Sequence, residues 1–495
     1  MRTTALIIIG GGFSGIGMAI RLRQTGVTDF VILERASASG GTWRDNTYPG
    51  CACDVQSSLY SFSFAPNPDW SRSFSPQAEI WAYLKRCATD FDIDRHFAFE
   101  QNVTGAHWDE LEQRWTVTTA TDTWSAPMVV LANGALSDAV FPRIPGLETF
   151  TGNAFHSSQW DSDTDLRDKR VAVIGTGASA IQFVPMIQPL VRQLTVFQRT
   201  PAWVMPRNDR AIPEWKKSLF RRVPLLQRLQ RATLYGVREL LFYPFRHRSA
   251  AKLVEWIAAR HMRAQITDPQ LREKLTPHYR IGCKRILVSD DFYPAVGKPN
   301  VTLVTDTITA IDAGGVVTGD GTHHDADVLI FGTGFRPTDP PLAPLIVGRD
   351  GTTLAEQWNG SPEAYMGTTI AGFPNLFTLL GPNTALGHSS VMLMVEAQIE
   401  HVLGVIALAT ARNSGAVEPR VSAQRQYVAW LDERLADTTW NAGGCRSWYL
   451  DRTGRNSTLW PDGVGAFRRT VTRVKPEAYH FDQPRGAPTP EFSNV

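Results

Sequence analysis

Cysteine is scarce in this chain. The five residues, Cys51, Cys53, Cys87, Cys283 and Cys445, form an odd, scattered set. They make no disulfide framework and fit a reducing compartment. Charge of one sign is also missing. Lys and Arg total 50 against 48 Asp and Glu, a net charge of +2, so no global field draws nucleic acid or acidic partners. No apolar run approaches the roughly 20 residues that span a bilayer. The start, Arg2 and then Ala5 to Ile9, imitates a signal peptide, but the run is short and enters a glycine loop instead of a cleavage site. The cytosol is the expected location. No His/Cys set has metal-ligand spacing, and no metal is expected.

At 495 residues the chain exceeds one core, so two or three domains are expected. An apolar content of 43% with 20% charged residues fits a globular protein. Ala5 to Ile9 reads as a buried strand. It ends in Gly10-Gly11-Gly12-Phe13-Ser14-Gly15, followed by helical spacing and a second strand, Phe30 to Leu33, that stops at Glu34-Arg35. Strand, glycine turn, helix, strand and acid form a dinucleotide site. Gly10 permits the turn, Gly12 lets backbone approach a pyrophosphate, and Gly15 lets helix pack on strand. The pyrophosphate then meets free N–H groups at the helix start. Glu34 suits ribose hydroxyls and disfavours a 2′-phosphate.

A second unit repeats this grammar. The strand Arg170 to Ile174 feeds Gly175-Thr176-Gly177-Ala178-Ser179-Ala180, with alanine at the last position. The next strand, Leu194 to Gln198, ends in Arg199-Thr200. A guanidinium where the first unit has a carboxylate suits a 2′-phosphate, so this site reads as NADPH.

Val103 to Trp108 and Trp115 to Thr119 alternate like a hairpin. Met128 to Ala132 is a buried strand, and prolines 142 and 145 mark a boundary. Residues 212–277 have helical character. Between Lys216 and Lys252 there are ten basic residues and one acid, Glu239. The preferred reading is a solvated basic face of a helical insertion; a membrane-surface helix is the alternative. Val301 to Val304 and Asp327 to Phe331 are strands, and a long helix starts after Ser390. From Gln483 the Pro/Gly-rich tail is expected to be disordered.

Two stretches fit none of these elements. Gly40-Gly41-Thr42-Trp43 continues through Tyr48-Pro49-Gly50 to Asp54. Phe150-x-Gly152-x-x-x-His156-x-x-x-Trp160-Asp161 lies between the two glycine loops. Together they resemble the G-G-x-W-x-x-x-x-Y-P-G-x-x-x-D and F-x-G-x-x-x-H-x-x-x-W-D fingerprints of type I Baeyer–Villiger monooxygenases, within the flavin-containing monooxygenase superfamily. Flavin disulfide reductases keep redox cysteines near here, but Cys51 and Cys53 have one residue between them, and they read as small buried residues.

The resemblance runs through nearly the whole chain. It implies an α/β fold with two Rossmann-like domains, for FAD and NADPH, and a helical insertion in the second. The first domain would comprise 1–142 and 333–482, the second 143–210 and 281–332, the insertion 211–280, and the tail 483–495. FAD would meet Gly10, Gly12, Phe13, Ser14, Gly15, Glu34 and Arg35 in the first unit. It would also meet Gly41, Thr42, Trp43, Asp54, Val55, Tyr60 and Val103, and Ser390 at the start of the long helix. NADPH would meet Gly175, Thr176, Gly177, Ser179, Ala180, Gln182, Arg199, Thr200 and Lys284.

The implied reaction adds O₂ to reduced flavin, and the resulting C4a-peroxide anion attacks a ketone to give an ester or lactone. A fixed cation must meet that charge. Arg285 matches the family's catalytic arginine, and Asp54 the acid that positions it. Phe150, Gly152, His156 and Trp160 would organise the linker during domain motion, with no proton transfer by His156. The expected partners are a small hydrophobic ketone or sulfide and O₂, with no nucleic acid and no integral membrane segment, and the expected state is a monomer. N- or S-oxidation, as in flavin-containing monooxygenases, is the runner-up, although those typically carry tyrosine where this chain has Trp160-Asp161. A flavin redox sensor without turnover is the remote alternative.

Overall fold

The computed structural model describes residues 1–445 and 447–485. Two parallel sheets organise it. The first half supplies β1 (Leu6–Ile9), α1 (Phe13–Gln24), β2 (Phe30–Leu33), β3 (Phe97–Ala98) and β4 (Met128–Leu131). The chain then crosses to β5 (Asn153–His156), β6 (Arg170–Ile174), α2 (Ala180–Ile187) and β7 (Gln193–Phe197). Helices α3 (Glu214–Arg222) and α4 (Pro224–Leu240) begin the insertion; β8 (Val301–Val304) and β9 (Val328–Phe331) resume the sheet. The chain returns through β10 (Leu376–Thr378), α5 (Val391–Ala411) and α6 (Val464–Val471).

The first sheet has the order β10-β4-β1-β2-β3 and the second β8-β7-β6-β9-β5, all parallel. In each sheet the strand that feeds the glycine loop, β1 or β6, is central, and the chain reversal lies beside it. β1, β2 and β4 are buried at every position, because alternate side chains pack toward α1 on one face and toward the antiparallel strands of a separate sheet on the other. The expected hairpin forms as Val103–Asp109 paired with Arg114–Thr119 in a separate five-stranded sheet.

The glycines explain how both loops close. A Cβ on Gly10, at φ +110°, would lie 2.6 Å from the Ala132 carbonyl oxygen just past β4. A Cβ on Gly175, at φ +107°, would lie 2.5 Å from the Gly332 oxygen just past β9. The same contact therefore recurs at both reversal points. Only glycine adopts that backbone and leaves that room.

Four expectations need correction. Cys283 and Cys445 form a disulfide across 162 residues of sequence, with Cα atoms 6.1 Å apart. This weakens the inference of a reducing compartment; Cys51, Cys53 and Cys87 are free and buried. Helix α5 is long and apolar enough to cross a membrane, with mean hydropathy 1.7 over its most apolar window, although the sequence reading found no such run. Here it is a core helix, packed between α1 and α6. The tail is tied down at its start, since Gln113 accepts the Arg485 N–H at 2.8 Å and donates to the Gln483 carbonyl at 3.0 Å. Residues 486–495 of that tail lie outside the described residues. Lastly, the basic stretch is not simply a solvated face. Arg231 and Arg238 of α4 turn inward, to the Ser58 carbonyl at 2.7 Å and the Gln56 side chain at 2.6 Å.

Candidate active site and its two nucleotide cradles

The first cradle is built from backbone. α1 starts at Phe13 with Gly12 before it and no side chain capping its free N–H groups. Gly12 has open space where a side chain would stand, apart from the Gly41 Cα 3.7 Å away. A Cβ on Gly15 would lie 1.9 Å from the Gly10 oxygen, so helix and strand touch there. A pyrophosphate fits that slot, against uncapped donors and the positive end of the helix. Ser14 is buried within α1. Glu34 is 4% exposed; it accepts the Gly11 N–H at 2.8 Å and the Arg44 guanidinium at 3.0 Å. It also accepts the Ala36 N–H at 3.0 Å, which leaves about one acceptor site for a ribose hydroxyl. Arg35 reaches the Ser137 carbonyl at 3.1 Å. With Arg44, Asp138, Ser158, Gln159 and Phe335 it borders a cavity of about 370 Å³ at the end of β2.

Next to this lies the tryptophan loop. Trp43, buried on the short helix Thr42–Asp45, donates its indole N–H to Tyr60 at 3.1 Å. Phe13 stacks edge-on against Tyr60 at 5.2 Å. Val55 is buried, with its N–H on the Cys53 sulfur at 3.4 Å. Burial raises the Cys51 thiol to about 11 and pushes Cys53 higher still, so neither is a ready nucleophile. Val103 starts the antiparallel hairpin, paired with Thr119. Ser390 is buried and caps α5, accepting the Met392 N–H at 3.3 Å.

The second cradle follows the same plan. Thr176 is buried, and Ser179 precedes α2 without a side-chain cap. Gly177 has nothing nearer its side-chain position than 3.8 Å, and the Ala180 Cβ lies 3.2 Å from the position a Gly332 side chain would take. Arg199 is exposed and Thr200 half-buried at the end of β7. Lys284 comes close enough that burial, and then the Arg199 charge, hold its ammonium below the ordinary value. Neither cation has an acidic partner among the described residues. Two unneutralised cations side by side fit a 2′-phosphate dianion.

Gln182 differs from expectation. Its side chain is spent between the domains: Tyr48 and the Ala52 N–H donate to it at 3.0 and 3.3 Å, and it donates to the Ala52 carbonyl at 3.0 Å. Helix α2 is thereby docked onto the loop that leads to Asp54.

Asp54 and Arg285, 231 residues apart in sequence, meet there. The guanidinium donates to one Asp54 oxygen from Nη2 at 2.5 Å and from Nε at 3.1 Å. The two side chains are 26% and 35% exposed, so the pair is not sealed in. Burial pushes the Asp54 carboxyl up, but Arg285, its hydrogen bonds and Arg238 outweigh burial and keep the acid below its ordinary range. Asp54 in turn holds Arg285 above the usual guanidinium value, against burial. Both groups stay charged at neutral pH.

Three further groups stand at this site that no sequence motif marks. Arg238 adds a second cation beside Asp54 but lay hidden in a stretch read as surface. Tyr449 is buried near Arg285, its phenol raised by burial to about 12 and so neutral. Its glycine- and aromatic-rich loop was the only signal. Glu239 accepts the Val464 and Gly465 N–H groups at the start of α6, at 2.9 and 3.1 Å, and contacts His388 at 3.3 Å. This pins α4 to the first domain.

The linker stretch sits where both crossovers pass. His156 ends edge strand β5 opposite Phe331 of β9. Its ring is fully buried between Phe141 and Phe335, at 5.6 and 5.7 Å. Those residues belong to the outgoing and returning crossovers, which also pair directly, the Val140 N–H donating to the Gly334 carbonyl at 2.9 Å. Nδ1 accepts the Ser158 N–H at 3.1 Å, so the ring hydrogen is on Nε2, which has no partner at hydrogen-bond distance among the described residues. Burial holds the imidazole below its ordinary value, against a partial pull from the Gly334 backbone. It is a neutral spacer where the two crossovers meet. A Cβ on Gly152 would lie 2.2 Å from the Asp327 oxygen and 2.8 Å from the Phe150 ring. Trp160 packs on Phe155 and on Phe183 of α2, and Asp161 caps the following turn through Thr164 at 2.5 Å.

Comparison with known proteins agrees with this architecture. Residues 3–349 match the flavin-binding monooxygenase-like family. A Baeyer–Villiger monooxygenase of Streptomyces coelicolor is 52% identical over 97% of this chain and 93% of its own length. One from Pseudomonas aeruginosa is 49% identical over 97% and 92%. The solved structure of an oxidized steroid monooxygenase bound to NADP superposes with a TM-score of 0.87 at 32% identity, over 98% of this chain and all of that one. With two parallel-sheet dinucleotide domains, two uncapped phosphate cradles and an acid-held arginine between them, the chain belongs to the Baeyer–Villiger monooxygenases of the flavin-binding monooxygenase-like family.

Proposed function

We propose that this chain oxidises a small hydrophobic ketone to an ester or lactone, using NADPH and O₂, with Arg285 as the catalytic cation and Asp54 as the residue that positions it. The observation that carries the reading is the Asp54–Arg285 pair, with bonds of 2.5 and 3.1 Å, at the junction of the FAD and NADPH domains. FAD, reduced by NADPH, supplies the activated oxygen. The residues of the chain supply the setting. Arg285 presents a permanent planar fork of donors to negative charge on the attacking oxygen and on the substrate carbonyl oxygen. Asp54 fixes its aim through Nε and Nη2, which leaves Nη1 free. Gly12 and the start of α1 would hold the FAD pyrophosphate, and Arg199 with Lys284 the NADPH 2′-phosphate. The Trp43–Tyr60–Phe13 group, with Trp43 and Phe13 buried and Tyr60 half-buried, supports the exclusion of water from the flavin side. A monomer completes the proposal.

The test is a panel of ketones and sulfides given to the FAD-loaded enzyme with NADPH and O₂, with products identified by mass. Esters or lactones formed in proportion to NADPH consumed are expected. Sulfoxides without any ester would instead assign the chain to heteroatom oxidation.

A further inference from the structure

Helix α4 is amphipathic the wrong way round. Its inward face is polar. Gln227 donates to the Asn67 carbonyl at 2.7 Å, Gln230 to Ser58 at 3.1 Å, Arg231 to the Ser58 carbonyl at 2.7 Å, and Arg238 to Gln56 at 2.6 Å. Its outward face is apolar. Leu225, Leu229, Val237 and Leu240 are 62%, 54%, 51% and 76% exposed. Ala232 and Gly236, exposed between them, extend the stripe at helical spacing. Trp215, on α3 packed against α4, is 68% exposed. Single exposed leucines are ordinary, but a stripe four turns long on a helix that turns Arg231 and Arg238 inward is not.

The flanking charge says what covers it. Arg222, at the end of α3, and Arg228, on α4 beside the stripe, are exposed and lack acidic partners among the described residues. Arg469 of α6 lies beside Tyr235 on the same flank as Arg228 and is likewise exposed and unpaired. A second copy docked by a two-fold axis would set this basic flank against its own image, which like charges oppose. An anionic lipid surface satisfies both parts, with leucines in the acyl boundary and guanidiniums on phosphates. We infer that the outer face of α4, with Arg222, Arg228 and Arg469, docks this enzyme on the surface of an anionic bilayer.

The test is sedimentation of FAD-loaded enzyme with vesicles of equal phosphatidylglycerol and phosphatidylcholine, and with phosphatidylcholine alone. Wild type is expected to sediment with the anionic vesicles and far less with the neutral ones. Arg222→Gln with Arg228→Gln should weaken anionic binding by roughly 25-fold, about fivefold per cation. Leu229→Asp with Leu240→Asp should abolish binding to both. Neither pair lies in the active site, so retained FAD and unchanged turnover certify folding. Wild type left in the supernatant with both vesicles, or bound equally to both, overturns the inference. So does a wild-type dimer in sedimentation velocity that Leu229→Asp with Leu240→Asp converts to monomer without any vesicle binding.

Discussion

Arg285 can act only while it stays charged and aimed, and Asp54 secures both. Arg285→Ala should lower ester formation on the order of 10²–10³-fold. NADPH oxidation should persist, with hydrogen peroxide replacing the ester; simultaneous assays of NADPH, ester and peroxide read this. The pair also has a definite pH window. The Asp54 carboxyl is depressed in the folded state. Its stabilisation is therefore complete above the unfolded value of about 3.9 and is lost as pH falls through the folded one. Arg285 is raised, so its share is complete below its unfolded value and persists throughout the neutral range. The gap in melting temperature between wild type and Asp54→Asn should stay level from about pH 5 to 8 and close only below about pH 4. A gap that closed near neutrality would mean the ion pair is not formed.

At the scale of elements, the linker stretch is a junction whose parts can be named. β5 is an edge strand, and its last residue, His156, wedges between the outgoing and returning crossovers. Removal of the ring should loosen how the NADPH domain is held without touching either nucleotide cradle. His156→Ala is therefore expected to raise the hydrogen peroxide released per NADPH oxidised while FAD content is unchanged. Unaltered coupling would reduce His156 to a packing residue. The buried ring, neutral and with its Nε2 unpaired among the described residues, already argues against a proton-transfer role.

Across the whole molecule, three ties bring distant segments together. Gln182 docks α2 on the Tyr48–Asp54 loop, Glu239 joins α4 to α6, and Cys283–Cys445 links the Lys284–Arg285 segment to the loop bearing Tyr449. A bridge over 162 residues restricts the unfolded chain strongly. Cys445→Ser should cost about 2–4 kcal/mol of stability, read as a lower denaturant midpoint. Wild type in reductant should fall to the same midpoint; no change in either would mean the thiols do not pair in solution.

Both nucleotide units were legible in the sequence because their grammar is local. A buried strand, a turn that only glycine permits, a helix start and a strand-end charge fall within about 30 residues, and each carries its own physical reason. Glu34, Arg199, Gly10 and Gly175 could be assigned on those grounds, and the Asp54–Arg285 pair only by the likeness of its surrounding motifs. Tertiary structure alone decided that Gln182 is spent between domains, that Arg238 turns toward Asp54, that two cysteines 162 residues apart are paired, and that α4 buries its polar side. Each of these depends on which surfaces meet after long loops close, and periodicity along one helix shows that it has two faces but not which of them the rest of the chain will cover.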